Sequence, residues 1–346
     1  MKARPQYLFT FWRQGEENAP PLVKACLASM RAHVSGRRLV VLDGGSVGDW
    51  IDVPRIIRAR LEEGLMSVQH YADYIRFALL HTYGGVWADA TCFFSADLPD
   101  SLWEREFFTL EYTRRRDVAG RKEPDGSGGG ALVNRYAIFF MSGQAGNELF
   151  AEVLADLEAY WDSEHDAVAY LVTDLLLRRA MLRLGLWGSE KICSYQPGAC
   201  LRLQARLASA SSEEGWREMT SGSYLHKCTW RIALPLTKNG ADTFYKKILD
   251  EYRIPDEAPA GSGNLTRGQE HVLLRKLRSF AAFLPGAVNS RRIKAYGVGY
   301  VSLQVLEKIF SQRPESAAYS KTHRAVYEFA DQYVERVLKK AGVEKE

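Results

Sequence analysis

The chain has 346 residues, of which 46% are apolar, 12% aromatic and 25% charged, and these proportions are typical of a folded globular protein. They exclude disordered and fibrous proteins. The formal net charge is +4, an excess too small to predict nucleic acid as the partner of the whole chain.

The first apolar segment and the cysteines indicate a cytoplasmic protein. Residues 7–12 are apolar, but Arg13 follows them before the core of a signal peptide is complete. No later segment approaches the roughly 18 apolar residues of a membrane span. The five cysteines are scattered and form no C-x-x-C pair, so we expect buried, reduced thiols and no zinc site.

The first third of the chain alternates strand and helix patterns. Its predicted elements, in chain order, are a strand at 6–12, a helix from Pro21, a strand at 37–43, helices at 54–63 and 68–83, and a strand at 86–94. The Gly84-Gly85 pair is typical of a helix end. This order predicts an α/β fold with a mostly parallel sheet flanked by helices, in which ligands bind beyond the carboxyl ends of the strands.

The rest of the chain divides into a second group of sheet elements and a helical part. The sheet elements are strands at 106–112 and 136–143, a glycine-rich surface loop at 120–130, helices at 147–161 and 167–185, and a strand-like segment at 223–230. We therefore expect a first domain of residues 1–240 and a helical appendage of residues 241–346. An amphipathic basic helix at 271–284 either lies on anionic lipid or packs on the first domain.

The segment 71–91 holds the densest group of candidate site residues. Asp73 and Arg76 are three residues apart on the predicted helix, so their side chains lie on one side of it and either bind one ligand or form a surface ion pair. A charged pair within an otherwise apolar helix favours the ligand.

Asp89 ends the apolar first part of the predicted strand at 86–94, and Thr91 comes two residues later. Their side chains lie on the same side of an extended chain, two residues apart. Oxygen ligands with this spacing suit a hard divalent cation that also binds substrate phosphates. The alternative is a turn in which Asp89 hydrogen-bonds its own backbone.

Three segments of the chain, 10–33, 71–91 and 223–230, together resemble the bacterial capsular polysaccharide synthesis glycosyltransferases, which are relatives of the DXD-containing sugar transferases. The shared features are an aromatic-Trp-x-Gln-Gly turn, an Asn-Ala-Pro helix start and a Y-G-G-x-W-x-D-A-T segment. The resemblance covers residues 5–235. It implies a GT-A fold, which is a single Rossmann-like domain, and a nucleotide sugar as the donor substrate.

The resemblance also implies roles for particular residues. Asp73 and Arg76 would contact the donor sugar and phosphate, and Asp89 would belong to the acidic motif that binds Mn²⁺ or Mg²⁺. Thr91 stands where the family at large has a second acid. The residues implied to line the nucleotide are Phe11, Trp12, Gln14 and Gly15.

His226 and Lys227 are candidates in the third segment. His226 either completes the metal shell or is structural, and Lys227 is suited to neutralising the leaving diphosphate. One of the two faces the site, because neighbours on a strand point to opposite sides. Asn134 either binds a sugar hydroxyl or caps a turn, and Asp174 faces either the acceptor or solvent.

The sequence therefore predicts a hexosyltransferase that moves a sugar from a nucleotide diphosphate sugar to a hydroxyl of a growing or lipid-linked glycan, with retention of configuration and a divalent metal. One alternative is a sugar-nucleotide-binding or glycan-binding protein that has lost catalysis, since Thr91 replaces an acid. Another is a transferase that modifies a protein. Peripheral attachment to the inner face of the membrane is left open.

Overall fold

A computed structural model describes residues 6–112, 135–164, 172–186, 194–195, 197–231 and 234–256. Three sequence-based predictions lie outside these ranges: the glycine-rich loop at 120–130, the candidate residue Asn134 and the amphipathic helix at 271–284. The predicted appendage is described only in its first part, up to residue 256.

The centre of the fold is a six-stranded sheet in the order β2-β1-β3-β6-β5-β7. Three of its five pairings are parallel: β1 with β2, β1 with β3, and β5 with β7. Strand β6 is antiparallel to both neighbours, so the sheet is mixed as well as mostly parallel. The strands are β1 Tyr7–Phe11, β2 Arg38–Leu42, β3 Gly85–Ala88, β4 Cys92–Phe94, β5 Phe107–Tyr112, β6 Arg135–Gly143, β7 Ser194–Tyr195, β8 Leu225–Lys227, β9 Thr237–Lys238 and β10 Ala241–Asp242.

Helices cover both faces of this sheet. They are α1 Pro21–Ala32, α2 Arg55–Glu62, α3 Val68–Tyr83, α4 Ser101–Glu104, α5 Glu148–Ser163, α6 Val172–Arg183, α7 Pro197–Arg206, α8 Glu213–Thr220 and α9 Phe244–Glu251. One face packs on α2, α3, α5 and α6 through residues such as Phe77 and Phe150. The other face packs on α1 and α4, and a further apolar cluster joins α1 to α7, α8 and α9.

Helix α3 is defined at both ends by local chemistry. The Ser67 hydroxyl accepts a hydrogen bond from the His70 backbone N–H and caps the first turn. The helix stops at Gly84, whose φ of 68° is in the region that favours glycine. The next residue, Gly85, must be glycine for a different reason. A Cβ at this position would lie 2.4 Å from the Tyr7 carbonyl oxygen on β1.

The prediction of one strand over residues 86–94 is wrong. Strand β3 ends at Ala88, and a turn closed by a 2.8 Å hydrogen bond from Cys92 N to Asp89 O separates it from β4. Strand β4 then leaves the central sheet and pairs with β8 in a separate antiparallel ribbon. This break matters for the site, because Asp89 lies in a turn and β8 is brought beside it.

The described residues after 240 pack on the same body as those before it. In α9, Ile248 and Leu249 are buried in the cluster that contains Leu22 and Cys26 of α1. Four cysteines, Cys26, Cys92, Cys200 and Cys228, are free and buried, as expected, and Cys193 is outside the described residues. None of the helices in the described part of the chain has both the length and the apolar composition that a bilayer span requires.

Candidate functional site

The carboxyl ends of β1, β2 and β3 lie next to one another at one edge of the sheet. The turn Trp12–Gly15 follows β1, Asp43 follows β2, and Asp89 follows β3. Because the three strands are parallel, these segments border the same space beyond the sheet edge, which we term the crevice. This is the edge at which open α/β sheets bind ligands.

Asp89 lies at the centre of the candidate site, and hydrogen bonds reach both of its carboxylate oxygens. Oδ1 accepts from Arg76 Nη2 and from the Trp87 indole, each at 3.0 Å. Oδ2 accepts from Lys227 Nζ at 2.7 Å. Burial by itself disfavours the charged carboxylate, but Lys227 and Arg76 outweigh it and hold the pKa of Asp89 below its ordinary value.

Arg76 connects Asp89 to helix α3. Its guanidinium contacts Asp73 Oδ1 at 3.1 Å, Asp89 Oδ1 at 3.0 Å and the Ile138 carbonyl oxygen at 2.8 Å. The Arg76 side chain is only 6% exposed and its guanidinium carbon lies 5.2 Å from the centre of the Trp87 ring. A buried arginine needs such compensation, so this group is a fixed part of the structure and is not a mobile surface charge.

Asp73 is held in turn by helix α6. Thr173 Oγ1 donates a 2.8 Å hydrogen bond to Asp73 Oδ2, and both side chains are buried. The predicted pairing of Asp73 with Arg76 is therefore present, but as a buried pair and not a surface one. Asp174, the neighbour of Thr173, is itself buried with 8% of its surface exposed.

Lys227 approaches Asp89 from the separate β4–β8 ribbon. Its ammonium donates to Asp89 Oδ2 at 2.7 Å and to Thr91 Oγ1 at 2.8 Å, and it lies 5.0 Å from the centre of the Phe139 ring. Burial alone would lower the pKa of Lys227, but the nearby Asp89 carboxylate reverses this and raises it. Lys227 is therefore charged at neutral pH.

These side chains form a continuous series, Asp73, Arg76, Asp89 and Lys227, which we term the charge chain. Its members alternate in sign and its formal charge is zero. Exposure of the side chains rises along the series, from 12% and 6% at Asp73 and Arg76 to 26% and 23% at Asp89 and Lys227. The Asp89–Lys227 end is therefore the part that a ligand in the crevice can touch.

His226 points away from the charge chain. The residue is completely buried, its Nε2 hydrogen-bonds with Ser95 Oγ at 2.8 Å, and its ring lies 6.4 Å from that of Phe93. Burial lowers the pKa of His226 to about 4. The structure therefore does not bring His226 to Asp89 as a joint metal ligand, because strand alternation turns it to the opposite face from Lys227.

Two tryptophan rings lie at the turn after β1. Trp12 is half-buried, and its ring meets that of Trp230 edge-on with their centres 5.5 Å apart. Phe11 is buried and packs against Tyr71, so little of its surface is available to a nucleotide. Gln14 is exposed, and its carbonyl oxygen accepts from the side chain of Asn18.

Asp43 is a site residue that sequence reasoning missed. Its Oδ1 accepts backbone hydrogen bonds from Ser46 and Gly45, each at 2.8 Å, and these bonds lower the pKa of Asp43. Its Oδ2 faces Gly15, since a Cβ there would lie 3.8 Å from it. The signal was available, because Asp43 ends the predicted strand at 37–43 as Asp89 ends the apolar part of the next one.

Trp230 and Thr173 were also missed. Trp230 lies within the segment 223–230, and its position next to Trp12 follows from the same ribbon that carries Lys227. For Thr173 the sequence offers no signal, since its partner Asp73 is 100 residues away.

The residues of the site do not fit a divalent cation. Such an ion takes about six oxygen ligands, of which water and substrate phosphates supply several, and it needs one or two protein carboxylates that are free to bind it. The position between Asp89 and Thr91 is occupied by the Lys227 ammonium. Within the described ranges, no three His, Cys, Asp or Glu side chains are grouped so that they could share a metal.

Comparison with known proteins gives a matching family model, a curated relative and similar solved structures. A family model described as "Capsular polysaccharide synthesis protein" matches residues 1–248. The O-glycosyltransferase braB of Annulohypoxylon truncatum is 28% identical over 107 residues, which cover 28% of this chain and 25% of that protein, so the match spans about a quarter of that relative. The structure of the PaToxG Glycosyltransferase is similar with a TM-score of 0.34 and 10% identity, over 81% of this chain and 87% of that chain.

Proposed function

Because the chain belongs to the capsular polysaccharide synthesis protein family, we propose that it is a glycosyltransferase that moves a sugar from a nucleoside diphosphate sugar to a hydroxyl of a growing surface glycan. The observation that carries the proposal is the charge chain at the carboxyl ends of the parallel strands. Its exposed end presents a fixed cation and a fixed carboxylate to the crevice. A GT-A type of fold is part of the proposal, and the mixed, mostly parallel sheet supports it.

The aromatic turn and Asp43 are suited to binding the nucleoside. Trp12 and Trp230 offer ring surfaces beside the end of β1. Asp43 is ionised at neutral pH, and its Oδ2 is directed toward Gly15 at the same edge. A carboxylate after the second strand accepts hydrogen bonds from ribose hydroxyls in other nucleotide-binding α/β sheets.

The charge chain is suited to the transfer step. The bond between the anomeric carbon and the diphosphate oxygen breaks, and its electron pair stays on that oxygen. The acceptor hydroxyl oxygen bonds to the anomeric carbon, and its proton passes to the departing diphosphate oxygen. Lys227 has three N–H donors and uses two of them on Asp89 and Thr91, so a third donor is left to stabilise the charge that develops on the diphosphate.

We assign Asp89 to the same step, as the carboxylate that lies beside the sugar. Its carboxylate is held by Arg76 and Trp87, which orient it toward the crevice beside the sugar. Asp73 and Arg76 keep Asp89 in place from within the protein, and this preorganisation lowers the entropic cost of the reaction. Retention of configuration remains a prediction from the resemblance, because the site residues assign no protein nucleophile.

A panel of sugar nucleotides tests the proposal. A donor that binds only the folded protein raises the free energy of unfolding, by about 2.7 kcal/mol at one hundred times its Kd. We expect one UDP-sugar or GDP-sugar to raise the melting temperature and to be hydrolysed slowly to the nucleoside diphosphate. If no sugar nucleotide in the panel stabilises the protein, the proposed function is wrong.

The alternative function is donor or glycan binding without transfer. It is motivated by Thr91, which gives the motif a hydroxyl where an acid is expected. The same panel distinguishes the two functions. Stabilisation by a sugar nucleotide with no release of nucleoside diphosphate, in the presence of acceptor glycans, would favour the binding protein.

A further inference from the structure

We propose that the Lys227 ammonium occupies the cation position of this site, so that the protein binds the donor diphosphate without a divalent metal. The inference deepens the proposed transferase function and rests on it for the identity of the ligand. It departs from the metal dependence expected from the sequence, and it follows from the contacts of Lys227, Asp89 and Thr91.

The ammonium lies where the sequence predicted a metal ion. Asp89 Oδ2 and Thr91 Oγ1 were expected to be two cation ligands, and both are at hydrogen-bond distance from Lys227 Nζ, at 2.7 and 2.8 Å. A metal ion that used these two oxygens would have to displace the lysine. A displaced Lys227 would lose its contact with Asp89, which is its only carboxylate partner within the described part of the chain.

The backbone holds Lys227 at this position. In the β4–β8 ribbon, Lys227 pairs with Cys92, and Cys228 N donates to the Thr91 carbonyl oxygen at 2.9 Å. The ammonium also lies over the Phe139 ring. Strand pairing on one side and an aromatic ring on the other restrict its movement, so the lysine is preorganised as a fixed cation.

The charges around Asp89 also disfavour an additional cation. Asp89 is already neutralised by Arg76 and Lys227, each within 3.0 Å of one carboxylate oxygen. Thr91 supplies a neutral oxygen, and His226 is turned to the opposite side of its strand. A divalent ion would therefore have to compete with two cations for a carboxylate that is already paired.

The first measurement is metal binding without nucleotide. Mn²⁺ is titrated into the purified protein, and the free ion is followed by its electron paramagnetic resonance signal. We expect no binding below about 1 mM. A stoichiometric site of higher affinity, lost in the Asp89→Asn variant, would overturn the inference whatever the nucleotide results are.

The second measurement is nucleotide binding by calorimetry with UDP and GDP, in EDTA and in Mn²⁺. We expect the affinity of the preferred nucleotide to differ less than about threefold between the two conditions. The Lys227→Met variant keeps the apolar stem and loses the charge, and we expect about tenfold or weaker binding in EDTA. Unchanged binding by this variant would overturn the inference.

A matched control lysine and a gain-of-metal variant complete the test. Lys247 also pairs with a carboxylate, that of Glu213, and lies 5.4 Å from the centre of the Trp216 ring, so Lys247→Met should leave nucleotide binding unchanged. Thr91→Asp combined with Lys227→Met vacates the position and adds an acid, so we expect Mn²⁺ binding to appear. Thermal unfolding checks that each variant is folded.

The results separate this inference from the proposed function. If neither UDP nor GDP binds in any condition, the transferase proposal fails. The manganese titrations of the wild-type protein and of the double variant then still decide whether Lys227 excludes a metal from Asp89.

Discussion

Lys227 and Asp89 are 138 residues apart in the sequence, and their side chains meet at 2.7 Å. The β4–β8 ribbon makes this contact possible, because β4 leaves the central sheet directly after the Asp89 turn and pairs with β8. The same turn places Asp89 within reach of Arg76 on α3. Arg76 and Lys227, which are far apart in the sequence, therefore contact the same carboxylate.

Replacement of Asp89 by Asn should abolish most of the activity. The amide keeps the size of the side chain but removes the charge that fixes Arg76 and Lys227. We expect kcat/KM for donor hydrolysis to fall about 100-fold or more. The Asp97→Asn variant is a suitable control, because Asp97 is an exposed partner of His33. Full activity of Asp89→Asn would contradict the assigned role.

Replacement of Thr173 by Val should destabilise the protein. The change keeps the shape of the side chain but removes the donor to Asp73 Oδ2, which leaves a buried carboxylate oxygen without this bond. We expect the free energy of unfolding to fall by about 1–3 kcal/mol, measured by urea denaturation. In the control Thr82→Val, the lost bond is to Ala78 O within the same helix, and we expect a change below about 0.5 kcal/mol.

His226 should make the stability depend on pH. Its pKa is lowered to about 4 in the folded protein, and the unfolded chain titrates near 6.5, so the unfolded state binds more protons between these values. Stability is therefore lost as the pH falls through this window, by about 2 kcal/mol between pH 7 and pH 5.

The His226→Gln variant measures this contribution directly. Its amide can still hydrogen-bond Ser95 but does not titrate. We expect the unfolding free energy of the wild-type protein to fall more steeply than that of the variant between pH 7 and pH 5. The difference between the two curves cancels the contribution of other titrating groups, such as Asp156. Burial raises the pKa of Asp156 to about 6. Parallel curves would contradict the prediction.

Replacement of Gly85 by Ala should disrupt the centre of the sheet. The added Cβ would lie 2.4 Å from the Tyr7 carbonyl oxygen, and φ is 103° at this position. We expect a loss of about 3 kcal/mol or more in the free energy of unfolding. Gly48→Ala is the control, because a Cβ there meets nothing within 4 Å. Equal stability of the two variants would show that β1 and β3 can separate freely.

Local sequence patterns correctly predicted the elements whose ends are set by neighbouring residues. Helix α3 runs from Val68 to Tyr83, and its end agrees with the prediction from the Gly84-Gly85 pair. The prediction of one strand at 86–94 was wrong, because apolar residues on both sides of Asp89 suggested a single strand, and only the pairing of β4 with β8 reveals the turn between them. Strand β6 inserts antiparallel between β3 and β5, which composition and periodicity do not report.

The sequence by itself determined the α/β order and the end of α3. It also required that only one of His226 and Lys227 face the site, since strand neighbours alternate. Only the tertiary structure decided that Lys227 is that residue. The reason is the register of β8, in which Lys227 lies opposite Cys92 and His226 opposite Phe93, and such long-range pairing leaves no mark on local sequence.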